Sequence, residues 1–189
     1  MSGVEFSPTD TPVRIRPIHA DDGARLQASH ARLSPESRYR RFLSAKPTLS
    51  ESDARYLVQI DGSDHVAYVA TAAVAGREGE IVAVARFIRI PEAPSTAEFA
   101  IVVGDAYQRR GLATEMLRRL AVAAGRRGIT RFRATMLSDN VAIQRMLERL
   151  AVGEVSYTRS GSMTEMEITL PEAPSRTAGD PPTAELLAA

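Results

Sequence analysis

The spacing of hydrophobic and polar positions changes along the chain and divides it into predicted strands and helices. Alternation, or short runs of valine, isoleucine and alanine bounded by turn residues, predicts strands over 13–17, 65–75, 80–90, 97–103, 131–136, 152–157 and 163–170. Apolar residues at every third or fourth position, or capping signals, predict helices over 21–33, 35–42, 51–60, 111–127 and 140–150. This order predicts a fold of the α/β (α+β) class around one central sheet of about six or seven strands.

Local signals mark where several of these elements begin. Ser34 is a predicted N-cap followed by Pro35 at the first helical position, and Ser50 with Asp53 is close to a capping box. A glycine-containing segment, 76–79, lies between two predicted strands and indicates a hairpin. We therefore expect the strands of 65–103 to form an antiparallel meander.

The two ends of the chain lack such patterns. Residues 1–11 are predicted to be flexible, and 171–189, with four prolines, are predicted to form a disordered tail. The folded part is expected to be one domain over 12–170. No apolar run approaches the roughly 18 residues of a membrane span, and the N-terminus lacks the apolar core of a signal peptide, so we expect a cytoplasmic protein.

Composition narrows the chemistry. The net charge of the chain is +1, which excludes histone-like and strongly acidic proteins. There is no cysteine, so disulfides, thiolate nucleophiles and cysteine-bound metals are excluded. The three histidines lie far apart in sequence, and we therefore expect no metal site.

The segment 102–114 carries the clearest chemical signal. A predicted strand ending in Val102 and Val103 runs into a short loop, and a long helix then begins with small residues. The first N–H groups of a helix lack internal partners and attract anions, and Gly111 lets an anion approach the backbone closely. Arg109 and Arg110 add positive charge. The segment is therefore predicted to bind a diphosphate.

The wider segment 107–133 is strongly basic, with eight arginines and one glutamate. For the arginines from Arg118 to Arg133, the solvated face of an amphipathic helix is the simplest explanation. A phosphate-bearing cofactor explains Arg109 and Arg110 better. Nucleic-acid binding stays a weak alternative, because no aromatic-rich strand or known nucleic-acid motif accompanies the charge.

The pattern Gln108-x-x-Gly111-x-Ala113 after a valine-rich strand resembles the acetyl-CoA motif of the GNAT N-acetyltransferases, and the resemblance covers about 13–170. Within that superfamily, several segments resemble the catalytic domain of bacterial Pat-type protein lysine acetyltransferases. They are His65-Val66-Ala67, Val84-Ala85-Arg86-Phe87, Ala97-Glu98-Phe99-Ala100, Leu137-Ser138-Asp139-Asn140 and 33–42. The resemblance implies a mixed sheet in which two parallel strands, about 97–103 and 131–136, splay apart around acetyl-CoA.

The same resemblance assigns the cofactor contacts. The backbone of the strand end would pair with the pantetheine, the N–H groups of the loop and helix start would bind the pyrophosphate, and Asn140 would bind the pantetheine arm. A plain N-cap is the alternative for Asn140. The cofactor-binding residues expected in this way are Val102, Val103, Gln108, Arg109, Arg110, Gly111, Leu112, Ala113, Thr114 and Asn140.

Glu98 is the expected catalytic residue. It interrupts an apolar strand, where partial burial would favour its uncharged form and strengthen it as a base. It matches the glutamate of the Pat-like Ala-Glu-x-Ala pattern and would take a proton from the substrate ammonium. The alternative is a structural ion pair with Arg86 or Arg89 on the neighbouring strand. A backbone N–H near Val103 is a candidate to polarise the thioester carbonyl.

The sequence departs from the superfamily at the proton donor. Many GNAT enzymes carry a tyrosine seven residues after this asparagine, where this chain has Leu147, and their usual Gly-Phe is replaced by Ala151-Val152. Tyr107 and Ser138 are alternative donors to the leaving thiolate. His65, a lone histidine near a strand start, is expected to be structural.

Three functions remain open at this point. The first is acetylation of a protein lysine, such as that of an acyl-CoA synthetase, by direct transfer in a ternary complex, since no cysteine can form an acyl-enzyme. The second is acetylation of a small amine, which acidic residues in the acceptor groove (Asp21, Asp22, Glu36 and Glu51 are candidates) would favour. The third is a non-catalytic acyl-CoA sensor. A homodimer is possible, and neither a nucleic-acid nor a membrane partner is expected.

Overall fold

The central feature of the computed structural model, which describes residues 12–74 and 77–172, is a mixed β-sheet. Its strands are β1 (Val13–Pro17), β2 (His65–Val74), β3 (Arg77–Ile90), β4 (Ala93–Val103), β5 (Arg131–Leu137), β6 (Val155–Ser160) and β7 (Met163–Thr169). The helices are α1 (Gly23–Arg32), α2 (Pro35–Phe42), α3 (Glu51–Val58), α4 (Leu112–Gly125) and α5 (Val141–Leu150). The predicted flexible segment 1–11, the tail beyond 172 and Gly76 of the predicted hairpin turn lie outside the described residues.

The seven strands are ordered β1-β2-β3-β4-β5-β7-β6. β1 pairs antiparallel with β2, and β7 pairs antiparallel with both β5 and β6. The β4–β5 ladder is parallel and short, because it joins only 96–98 to 131–133. The mixed sheet flanked by helices confirms the predicted fold class.

Two compact units can be distinguished along the chain: the first contains the described residues of 1–60, 67–86 and 100–117, and the second those of 61–66, 87–99 and 118–189. In the first, α1 and α3 pack on strands through a core of Ile18, Leu26, Leu49, Ala54, Val58, Ala67, Val69, Ile81 and Val84. In the second, the Phe132 ring on β5 stacks on Phe99 of β4 at 5.5 Å and lies 6.0 Å from Phe87 of β3. Each unit therefore buries its own apolar cluster, as the alternation of its strands predicts.

The predicted helix starts are confirmed. The Ser34 hydroxyl accepts a hydrogen bond from the Ser37 N–H, Pro35 is the first residue of α2, and Ser50 and Asp53 form a full capping box at α3. The stripe Leu112, Met116, Leu120 and Ala124 of α4 is buried. The last hairpin begins later than predicted, because β6 starts at 155 and not at 152. No helix within 12–74 and 77–172 is long and apolar enough to cross a membrane.

Candidate active site

The segment 104–111, which we call the α4 loop, joins β4 to α4 through two left-handed backbone conformations. Gly111 has φ +81° and Arg109 has φ +58°, a region that glycine adopts freely and other residues rarely. At its start, the Gly104 N–H donates to the Val82 carbonyl at 2.8 Å, and a Cβ on Gly104 would lie 3.2 Å from that oxygen. The loop therefore has a tightly held start and a glycine at the turn into α4.

The first turn of α4 leaves N–H groups available. The Glu115 N–H bonds to the Gly111 carbonyl at 3.1 Å, so the N–H groups of Leu112, Ala113 and Thr114 precede the i→i−4 ladder. Leu112 is buried and anchors the helix, Ala113 is half-buried, and Thr114 is exposed. Arg109 is exposed, and the guanidinium of the half-buried Arg110 lies 5.5 Å from the centre of the Tyr107 ring. This arrangement suits an anion.

The side chain of Gln108 is used within the protein. Its amide nitrogen donates to the Val103 carbonyl and to the Ser37 hydroxyl, both at 3.1 Å. Gln108 thereby fixes the end of β4 against the first turn of α2. Val103 is nearly buried and Val102 packs on the core of the first unit. Both valines follow the end of the β4–β5 ladder at Glu98.

Asn140 occupies the N-cap position of α5 without capping the helix. Its side chain makes no cap hydrogen bond, and its backbone N–H donates to the Leu137 carbonyl at 2.9 Å. The alternative of a plain N-cap is therefore wrong. A half-buried amide that does not serve its own helix suits a ligand-binding role.

Glu98 is exposed on β4, although Thr96, Ala97 and Phe99 beside it are buried. The expected partial burial is therefore wrong, because alternation along the strand turns Glu98 away from its buried neighbours. Its register partner is Arg133 of β5. The alternative ion pair with Arg86 or Arg89 is also wrong: Arg86 donates to the Leu57 carbonyl, and Arg89 pairs with Asp64 at 2.7 Å.

Arg133, the register partner of Glu98, binds acids of the next strand. Two of its nitrogens donate to one carboxylate oxygen of Glu167, at 3.0 and 3.2 Å, and Glu165 lies 3.8 Å away. The hydrogen bond that Arg133 donates to Glu167, the charge of Glu165 and, less strongly, the charge of Glu98 raise the pKa of Arg133. Arg133 is thus largely neutralised by β7, and Glu98 has no hydrogen bond or ion pair within the described ranges.

Comparison with known proteins decides the family. Residues 13–152 match the family described as the acetyltransferase (GNAT) domain. The chain belongs to the GNAT acetyltransferases.

Two relatives and two solved structures show which GNAT acetyltransferases this domain resembles. It is 36% identical over 155 residues to acetyltransferase Pat of Mycolicibacterium smegmatis, covering 82% of this chain but 45% of Pat. An acetyltransferase of Pseudomonas aeruginosa is 32% identical over 136 residues, covering 71% of this chain and 69% of that protein. The chain thus spans less than half of Pat.

The GNAT domain of S. lividans PAT superposes with a TM-score of 0.72 at 32% identity, covering 84% of this chain and 91% of that one. A cAMP-binding acyltransferase from Mycobacterium smegmatis superposes with a TM-score of 0.60 at 28% identity, covering 98% of this chain and 52% of that one. The resemblance to Pat-type domains predicted from the sequence is confirmed.

Other groups of the GNAT domain take part in its core or in its internal hydrogen bonds. Leu147 is 1% exposed and belongs to the core. The Ser138 hydroxyl lies 2.8 Å from the hydroxyl of the buried Thr164. The His65 backbone N–H donates to Asp61. Tyr107, the other candidate proton donor, is half-buried and belongs to the α4 loop itself.

Several arginines of the basic segment are structural. Arg127 donates to the carbonyls of Gly62 and Ala123 at 2.8 and 2.7 Å, and Arg131 lies 3.5 Å from Glu167. The charge near the α4 loop therefore rests chiefly on Arg109 and Arg110. Within the described residues, His19, Asp21 and Asp22 form one cluster of possible metal ligands, but Asp22 is already bound by Arg16, as discussed below.

Sequence reasoning missed two features of this site. It gave the Gln108 side chain no role within the protein, where its amide donates to Val103 and Ser37; the expected contact of Gln108 with the cofactor stays a prediction. It also gave no role to Asp105, which accepts hydrogen bonds from Ser34, the N-cap of α2, and from Ser37 in its first turn. The predicted N-cap at Ser34 was the available signal, since capped helix starts recruit acidic residues.

Proposed function

We propose that this GNAT domain transfers the acetyl group of acetyl-CoA to the ε-amine of a lysine on another protein, with Glu98 as the general base. The observation that carries the proposal is the α4 loop. Its left-handed Gly111 precedes the free N–H groups of α4, beside two arginines. Gln108, which matches the superfamily motif, would act by shaping the loop, and its backbone would contribute to binding.

The cofactor residues proposed from the resemblance divide by role. The N–H groups of Arg109 to Thr114 would bind the diphosphate, since they form the turn into α4 and the start of that helix. The backbone at Val102 and Val103 would pair with the pantetheine arm, in the region where β4 has left the β4–β5 ladder. The uncommitted amide of Asn140 would bind the same arm.

The exposure of Glu98 supports a catalytic role, because an exposed carboxylate can be reached by a lysine of another protein. The burial first expected is not required for this. Its carboxylate would accept a proton from the lysine ammonium, directly or through one water. The free amine would attack the thioester carbonyl carbon, and its nitrogen would give up its surplus proton to water. The C–S bond would break, and the CoA thiolate would leave. With Leu147 buried at the usual tyrosine position, the thiolate would take its proton from water or Tyr107. No cysteine is present to carry the acetyl group, which supports direct transfer.

The charges of the N-terminal helices favour a protein acceptor over a polyamine. Glu36 pairs with Arg40 and Glu51 pairs with Arg55, each at 2.9 Å. Asp22 is buried against Arg16. By the resemblance these helices build the acceptor groove. Three of the four candidate acids are paired with arginines, and Asp21 is exposed. Such a surface would attract a polycation only weakly, and it would not repel acidic residues beside a protein lysine.

The test is transfer of labelled acetyl groups from acetyl-CoA to a purified acyl-CoA synthetase, with polyamines and amino acids run in parallel. Glu98→Gln is expected to lower kcat by about 10²–10⁴, the usual contribution of a general base, and to leave the Kd of acetyl-CoA within about twofold. Glu92→Gln, an exposed glutamate next to β4, is the matched control. Label found only on a small amine would favour the second function.

A turnover of Glu98→Gln within a few-fold of the unmodified protein would remove Glu98 from the mechanism. Tight binding of acetyl-CoA without transfer to any acceptor would instead support a non-catalytic sensor.

A further inference from the structure

The carboxylate of Asp105 joins the α4 loop to the first turn of α2. One oxygen of Asp105 accepts hydrogen bonds from the hydroxyls of Ser34, at 2.8 Å, and Ser37, at 2.7 Å. The other accepts from the Ser34 backbone N–H at 2.9 Å. All three donors belong to a helix start that lies about 70 positions earlier in the chain.

The same turn is tied to the loop a second time. The Gln108 amide donates to the Ser37 hydroxyl, and the Ser34 hydroxyl accepts from the Ser37 N–H at 3.2 Å. Asp105, Ser34, Ser37 and Gln108 therefore form one continuous hydrogen-bonded group, which ends on the Val103 carbonyl. Ser37 is buried at its centre.

The pKa of Asp105 is consistent with a carboxylate that is charged and accepts hydrogen bonds in the folded protein. Desolvation raises the pKa of Asp105, but the hydrogen bonds from Ser34 and Ser37 outweigh it and lower the pKa below its ordinary value. The carboxylate also lies at the positive end of α2, where a negative charge is favourable.

We propose that Asp105 is a positioning residue for cofactor binding: by holding the first turn of α2, it keeps the α4 loop in the conformation that binds the diphosphate of acetyl-CoA. The inference rests on the proposed function, since it requires that this loop bind acetyl-CoA. A loop that reaches its binding conformation only part of the time binds its ligand more weakly by that fraction.

The direction in which CoA affinity changes when Asp105 is replaced distinguishes a positioning role from a purely electrostatic one. Asp105 is the one acid of the α4 loop, so electrostatics alone predict that Asp105→Asn binds a diphosphate more tightly. Positioning predicts weaker binding, because asparagine cannot accept all three hydrogen bonds as a carboxylate does.

The experiment measures the Kd of CoA by calorimetry, and KM and kcat for acetyl-CoA, with the full chain. Asp105→Asn is expected to raise Kd and KM about tenfold, which corresponds to a loop that adopts its binding conformation about a tenth of the time. The kcat should stay within about twofold of that of the unmodified protein. Asp61→Asn is the matched control, because Asp61 accepts N–H groups of Ser63, Asp64 and His65 in another loop. It should leave the Kd unchanged.

A second variant tests the inference if Asp105→Asn does not fold. Ser37→Ala removes one donor to Asp105 and the acceptor of Gln108, and should raise the Kd at least about fivefold, since the loss of one ordinary hydrogen bond alone has about that effect. Unchanged or tighter CoA binding in these variants, or an equal loss in Asp61→Asn, would overturn the inference alone. No CoA binding by the unmodified protein would overturn the proposed function and this inference together.

Discussion

Replacing Arg16 by methionine should strongly destabilise the first unit, because it leaves a buried carboxylate without its main cation. The side chain of Asp22 is completely buried and that of Arg16 is 6% exposed. Two guanidinium nitrogens bind the two carboxylate oxygens at 2.7 and 2.8 Å. The pair joins β1 to the turn that leads into α1.

The magnitude follows from what remains around Asp22. Removing one partner of a buried ion pair costs about 3–5 kcal/mol. The His19 N–H still donates to Asp22 at 2.8 Å, and Arg25 lies 3.4 Å away with its side chain 42% exposed. These weaker partners place the expected loss near the lower limit, about 3 kcal/mol. That is a large part of the roughly 5–15 kcal/mol that stabilises a domain.

The loss should also depend on pH. Burial raises the pKa of Asp22, but hydrogen bonds from Arg16 and His19 outweigh it and lower the pKa in the folded protein. The unmodified protein therefore keeps this contribution above the unfolded pKa of about 4 and loses it as the pH falls through the lower folded value. Without Arg16, burial dominates and the folded carboxyl holds its proton more tightly. The difference between the two proteins should thus be largest at pH 7 and shrink towards pH 4.

The assay is urea unfolding followed by circular dichroism at pH 7 and pH 4.5, with equal slopes required of both proteins. Arg16→Met/Asp22→Asn is the control, because it removes both charges and keeps an acceptor for the His19 N–H; it should recover about half of the loss. A loss below about 1 kcal/mol at pH 7, or one that does not change with pH, would refute the reasoning.

Two further predictions concern the cofactor. Gly111→Trp should raise the Kd of CoA at least about 100-fold by filling the diphosphate site. Gly153→Trp is the control, because Gly153 has a similar φ of +86° and nothing lies within 4 Å of its Cβ position, and it should leave the Kd unchanged. Similar losses of affinity in both variants would mean that the diphosphate binds elsewhere. Asn140→Ala should raise the KM of acetyl-CoA about tenfold, as expected for a lost ligand hydrogen bond of about 1.4 kcal/mol. Its thermal unfolding midpoint should stay unchanged because the side chain caps nothing, and a midpoint lowered with KM intact would return Asn140 to a structural role.

Several elements were predictable because their signals are local. Val13–Pro17 alternates within five residues, the α4 stripe recurs at helical spacing, and the Ser34 and Ser50 caps each lie within three residues of the N–H that they accept. The α4 loop was predictable for the same reason, since its glycine and arginines adjoin a helix start.

The limits of prediction lie in side chains that meet from distant positions. Glu98 interrupts a buried strand, which suggested burial, yet its side chain is exposed beside Arg133, 35 positions away in sequence. Gln108 and Asp105 meet Ser37 and Ser34 only because α2 packs beside the α4 loop. No local pattern encodes such pairs.

The sequence by itself determined the fold class, the order of the elements, the family and the segment expected to hold acetyl-CoA, because periodicity, capping and glycine placement act within a few residues. The tertiary structure alone decided which polar groups are free. It committed Gln108 and Asp105 to α2 and Arg133 to Glu167, and it left Asn140 without a capping bond and Glu98 exposed. Hydrogen bonds and burial depend on neighbours brought together by packing, so only the folded chain assigns these roles.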